Sequence, residues 1–123
     1  FPLSDMYAGQ RTLRFADGSL ATIAYTAKGD SSFSKELFEA YAGGTVVTID
    51  DFRKLTIVAD GHTNTTNARG QDKGHAAQLE AFVSAVAAGH PAPVAEEELI
   101  ESSLATIAVL ESLQTGESVR LSP

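Results

Sequence analysis

At 123 residues, with 43% hydrophobic and 20% charged side chains, the chain has the size and balance of one folded domain and is short for a two-domain enzyme. A formal charge of −7 with only nine Lys and Arg residues excludes the concentrated basic face of a phosphate-backbone binder, so nucleic acid is not expected as a partner. The absence of cysteine rules out a disulfide framework, a thiolate zinc site and a cysteine nucleophile, and it fits a reducing, cytoplasmic location.

No apolar run approaches the roughly 20 residues that cross a bilayer, so no membrane association is expected. The chain opens Phe1-Pro2-Leu3, without methionine or a charged-then-apolar leader, and is read as a piece of a longer protein.

Two β-rich segments come first, Arg11 to Phe15 and Leu20 to Thr26, joined through Ala16-Asp17-Gly18-Ser19. Asp-Gly between such runs predicts a type I′ hairpin, in which both central residues take positive φ. Ala27 to Ser34, rich in Gly, Ser, Asp and Lys, is a loop. Glu36 to Ala42 and Thr45 to Ile49 then pair about Gly43-Gly44, and Leu55 to Ala59 is a fifth strand. Asp60 to Gly70 has almost no large apolar residue and predicts a loop without strong order.

Two helices follow. Leu79, Phe82, Val83 and Val86 share one stripe, with Asp72 placed to cap the start and Gly89 to end it. Past Pro91 and Pro93, Glu96, Glu97 and Glu98 complement the positive end of a second helix dipole. Ile100, Leu104, Ile107, Leu110 and Leu113 form that helix's stripe and Gly116 stops it, although no side-chain N-cap precedes it. Ser118 to Leu121 could add a last strand.

Strands followed by helices specify an α+β domain over residues 1–123, an open-faced, mainly antiparallel sheet of five or six strands with two amphipathic helices packed on one face. Such a sheet leaves its other face uncovered. Neither side of Leu20 to Thr26 is strongly polar, which points to homo-oligomer formation through that open face.

His62, His75 and His90 stand apart, without a second ligand at metal spacing, so no metal site is expected. Gly43-Gly44 joins two strands, which is not a nucleotide-binding loop, and no serine stands in a Gly-x-Ser-x-Gly setting. Asp50-Asp51 and Glu96-Glu97-Glu98 read as a turn and a solvated first helical turn. The segment Gln71-Asp72-Lys73-Gly74-His75 concentrates an amide, a carboxylate, an ammonium and an imidazole at a helix start. It is either a helix cap with Lys73 and His75 in water, or a binding loop. Gly74 bears on that choice, because glycine in a first turn costs about 1 kcal/mol relative to alanine.

The series Phe15 to Tyr25 (FADGSLATIAY), Lys35-Glu36, Asp50-Asp51-Phe52, Gln71 to His75, Glu80-Ala81-Phe82 and Leu110-Glu111-Ser112 resembles the carboxy-terminal half of the Gfo/Idh/MocA oxidoreductases. The likeness runs from about Thr12 to Leu121 and is nearest to the bi-domain members, in which an alcohol-dehydrogenase-like part precedes this module and which are often associated with polysaccharide biosynthesis. The resemblance implies a domain that binds substrate, a sugar, polyol or nucleotide-sugar, beside an amino-terminal Rossmann domain holding NAD or NADP.

It also implies that Gln71, Lys73 and His75 contact substrate hydroxyls or phosphate. The glycine-rich loop, the Glu-Lys-Pro motif and the Gly-x-x-x-His-x-x-Asp motif of that family are missing from these residues. The chain is therefore expected to carry no catalytic residue and no cofactor site, and to be inactive alone. The other reading is a non-catalytic assembly or small-molecule-binding α+β module.

Overall fold

The structure, a computed structural model, describes residues 8–121. Six antiparallel strands precede two helices, which makes the chain α+β. The strands are β1 (Ala8–Arg14), β2 (Leu20–Thr26), β3 (Leu37–Ala42), β4 (Thr45–Asp50), β5 (Lys54–Ala59) and β6 (His62–Asn67); the helices are α1 (His75–Ala88) and α2 (Glu96–Thr115). They form a two-stranded sheet, β1-β2, and a four-stranded sheet, β3-β4-β5-β6, rather than one sheet of five or six strands. The chain divides into two compact units. One spans Tyr25–His75 and holds the four-stranded sheet; the other combines Gly9–Ala24 with the residues from Ala76 on.

Within the first unit, three short connections fold the four strands into a meander. Gly43 (φ 54) and Gly44 (φ 78) give the two positive φ values that a two-residue hairpin turn requires. Asp60 (φ 49) and Gly61 (φ 72) do the same between β5 and β6. The second of these turns corrects the sequence expectation, since His62–Asn67 is a strand and not a loop. Its side chains are polar on both faces, but its backbone pairs with β5 from Lys54↔Asn67 to Ala59↔His62. A strand held by ladder hydrogen bonds at a sheet edge needs no apolar alternation, which is why a hydrophobicity pattern misses it.

Register fixes the two faces. Phe38, Ala40, Ile49, Val47, Leu55 and Ile57 lie opposite one another across β3, β4 and β5, giving one apolar face. Glu39, Thr48, Thr56 and Thr65 line up across the other, the more polar one, which also carries Leu37, Tyr41, Val46 and Val58.

In the second unit the β1–β2 hairpin forms as expected but with a different turn. Gly18 (φ 88) is its positive-φ residue, Gly18 N–H donates to the Phe15 carbonyl at 3.0 Å, and Phe15 N–H donates to the Ser19 carbonyl at 3.0 Å. This is the three-residue loop that ends on a left-handed glycine, not a type I′ turn. The Asp17 carboxylate accepts from both Ser19 N–H (2.9 Å) and Ser19 Oγ (2.7 Å) and so fixes that loop shape.

Helix α2 begins after Ala95, which makes no side-chain cap, with Glu96, Glu97 and Glu98 in the first turn; it ends at Gly116 (φ 76), whose N–H donates to the Ser112 carbonyl at 2.8 Å. Helix α1 is followed by Gly89 (φ 67). The expected stripes have helical spacing, yet Leu79, Phe82, Val83 and Val86 on α1 and Ile100, Leu104, Ile107, Leu110 and Leu113 on α2 are all exposed. No described residue of the chain is fully buried. Ser118 to Leu121 is not a strand. No described helix is long and apolar enough to cross a membrane.

Candidate functional site: the β4–β5 turn and the loop before α1

The turn from β4 to β5 carries most of the specific polar contacts of the first unit. Arg53 N–H donates to the Asp50 carbonyl at 2.9 Å, closing a turn whose central residues Asp51 (φ 49) and Phe52 (φ 52) are both left-handed. Aspartate tolerates that region, whereas a bulky aromatic enters it at a cost of about 1–2 kcal/mol.

The backbone around the turn offsets the strain. Asp51 N–H donates to the Glu36 carbonyl (2.7 Å), Asp72 N–H to the Phe52 carbonyl (3.1 Å) and Ala68 N–H to the Arg53 carbonyl (2.7 Å). These bonds draw the segments on either side of the sheet, around Glu36 and around Ala68 to Asp72, onto the turn.

Side chains complete the clamp. The Asp51 carboxylate accepts from Gln71 Nε2 at 2.9 Å through Oδ1 and pairs with Arg53 Nε at 3.1 Å through Oδ2. The Lys73 ammonium lies 2.6 Å from Glu36 Oε2 and 5.6 Å from the centroid of the Phe52 ring. Asp72 Oδ1 accepts from Gly74 N–H at 2.9 Å, and Gly74 turns the chain at φ 77 into the helix. Asp72 therefore closes a local turn ahead of α1 in place of the expected helix cap. The positive φ explains why glycine stands at position 74 without any ligand.

Beside the clamp lies a polar depression of about 480 Å³, lined among others by Phe33, Lys35, Asp50, Arg53, Lys54 and Gln71. Phe33, 78% exposed, is presented by a turn in which Asp30 Oδ1 accepts from Ser32 N–H (2.8 Å) and Ser32 Oγ (2.7 Å). Those two bonds, the backbone one foremost, hold the Asp30 carboxyl below its ordinary value. A second, smaller and more apolar depression of about 270 Å³ lies at the end of the apolar face against Ile49, Phe52 and Leu55.

The three residues singled out by the sequence separate here. Gln71 stands on the rim of the larger depression and is tied to Asp51. Lys73 is engaged with Glu36 and Phe52 and lines neither depression. His75 is the exposed first residue of α1, and none of the described side-chain hydrogen bonds involves it.

Lys35, Arg53, Lys54 and Phe33, loop and strand-end residues by sequence, are among those that share the cavity with Gln71. The charged run Asp50-Asp51-Phe52-Arg53-Lys54 is the sequence signal that marks Arg53 and Lys54, while nothing local marks Phe33 or Lys35. Donors from Lys, Arg and Gln, acceptors from Asp50 and an aromatic face suit a small polar ligand. Both Asp51 oxygens are already engaged, so that carboxylate is not a free base. Comparison of the chain with protein-family models, with curated proteins and with solved structures gives no match.

Proposed function

We propose that this chain is the substrate-side carboxy-terminal domain of an NAD(P)-dependent oxidoreductase acting on a sugar, polyol or nucleotide-sugar, inactive without its Rossmann partner domain. One observation carries this reading. The segment most specific to the resemblance, Gln71 to His75, begins on the rim of a polar depression and is held there by the β4–β5 turn. The depression offers the hydrogen-bonding groups and the exposed aromatic ring that a hydroxyl-rich ligand uses. In this reading Gln71 is the substrate contact and Lys73 positions the loop. The domain works in the cytoplasm and assembles into a homo-oligomer.

The test is steady-state kinetics of the full-length protein with a panel of sugars, polyols and nucleotide-sugars, using NAD and NADP in turn. Gln71→Ala and Lys54→Ala are expected to raise KM with little change in kcat, because they remove binding and no chemistry. Unchanged KM in both variants would take the depression out of substrate binding. Absence of any nicotinamide-coupled turnover would end the oxidoreductase reading and leave an assembly module. That second reading has its own support, the lack of any fully buried described residue.

A further inference from the structure

The two edges of the four-stranded sheet are built differently. Strand β6 forms one edge and is blunt, its sequence His-Thr-Asn-Thr-Thr-Asn polar and exposed throughout. Strand β3 forms the other with Leu-Phe-Glu-Ala-Tyr-Ala, where Leu37 is 66%, Phe38 56% and Tyr41 69% exposed. Neither Pro, Lys nor Gly interrupts β3, and it pairs residue for residue with β4 from Leu37↔Asp50 to Ala42↔Thr45, without a bulge. An exposed, regular and mostly apolar edge, with Glu39 as its single charge, is a template for another strand, since edges are otherwise protected by several charges, proline or bulges.

Strand β3 also has a defined set of free backbone groups. Ala42 and Thr45 flank a two-residue turn and exchange both hydrogen bonds, so alternation points the groups of Ala40 and Phe38 at β4 as well. The bond from Asp51 N–H to the Glu36 carbonyl continues the same parity. The N–H and C=O of Leu37, Glu39 and Tyr41 therefore point outward, away from β4.

We propose that β3 pairs antiparallel with β3 of a second copy of this chain, about a two-fold axis at Ala40, to form one continuous sheet running β6-β5-β4-β3-β3-β4-β5-β6. Symmetry and side-chain pairing narrow the choice. A two-fold axis perpendicular to the sheet keeps each face on its own side, so the axis must pass through a residue of β3 and not between two residues. Centred on Glu39, it would set two carboxylates directly opposite, which is repulsive.

Centred on Ala40, it sets Glu39 against Tyr41 of the second copy on the polar face and Phe38 against Ala42 on the apolar face, large against small. Glu39 and Tyr41 are then the hydrogen-bonded pair, which matches their outward groups. The polar β6 lies at both ends, so the assembly closes as a dimer and does not extend into a fibre. This inference stands apart from the proposed oxidoreductase role.

Sedimentation equilibrium of the purified protein across a concentration series is expected to give a dimer. A monomer at every concentration would overturn the proposal. Tyr41→Glu, which would oppose two carboxylates on each side of the axis, is expected to weaken association about tenfold. Tyr41→Lys, which would oppose Lys to Glu39, is expected to keep it. Equal effects of the two substitutions, with circular dichroism unchanged, would reject the Ala40 axis.

Cysteine scanning gives an independent reading, because the chain has no cysteine of its own. Residues at a non-hydrogen-bonded pair lie about 4.5 Å apart at Cα, within disulfide range. Ala40→Cys is therefore expected to cross-link two copies under mild oxidation and Glu39→Cys not to. The reverse pattern would overturn the register.

Discussion

The Gln71 side-chain amide donates to Asp51 Oδ1 at 2.9 Å across 20 residues of sequence, fastening the loop before α1 to a turn whose two central residues are both left-handed. The contact is surface-exposed and therefore controls local order more than global stability. Gln71→Ala is expected to cost about 0.5–1.5 kcal/mol at most, the net value of one hydrogen bond. Amide exchange should speed up at Asp72, whose N–H donates to the Phe52 carbonyl, with little change in β4 or β5. Uniform acceleration across the sheet would show that the clamp supports the whole unit.

The Glu36–Lys73 pair is partly exposed, the side chains retaining 45% and 35% of their accessible surface, and water and salt screen it. A double-mutant cycle with Glu36→Gln and Lys73→Met is expected to return about 0.2–1 kcal/mol of coupling, shrinking as salt is raised. A coupling that does not respond to salt would place the weight on packing of the Lys73 stem against Phe52.

Two glycines make a matched comparison. Gly61 has φ 72 and open space where a Cβ would point, so Gly61→Ala meets backbone strain alone and should destabilise the β5–β6 hairpin by about 1–2 kcal/mol. Gly29 lies outside the left-handed region and is equally unobstructed, so Gly29→Ala should be neutral or slightly stabilising. Thermal unfolding of the two variants checks the difference, and equal shifts would remove the conformational explanation.

Hydrogen bonds from Ser19 Oγ, foremost, and from Ser19 N–H hold the Asp17 carboxyl below its usual 3.8. A depressed folded-state value contributes stability that is present above the ordinary carboxylate range and lost as pH falls through the depressed one. Order at Phe15–Ser19 should therefore persist at neutral pH and loosen in strong acid. Ser19→Ala should move the Asp17 titration, followed by NMR, back up toward 3.8. A titration unmoved by that substitution would assign the depression to some other source.

The α+β class and five of the six strands were legible because they rest on local signals: glycine pairs at turns, β-branched runs, and acidic and glycine residues at the ends of α2. Gly116 could be read as a stop because a left-handed C-cap is a local backbone demand. Strand β6 was not legible, since its order comes from the β5 ladder and not from its own side chains. For the same reason Asp17-Gly18 and Asp60-Gly61 look alike in sequence yet form different turns, the register of the flanking strands deciding between them.

By itself, then, the sequence determined element types, their order and the polar character of the loop from Gln71 to His75, because each follows from contacts within a few residues. Only the tertiary structure decided that Asp51 receives Gln71, that Asp72 closes a local turn, that Lys73 is engaged with Glu36, and that Lys35, Lys54 and Phe33 share a depression with Gln71. Those juxtapositions join residues from separate turns of the chain. They depend on strand register, which sets which distant side chains meet and leaves no periodic mark in the sequence.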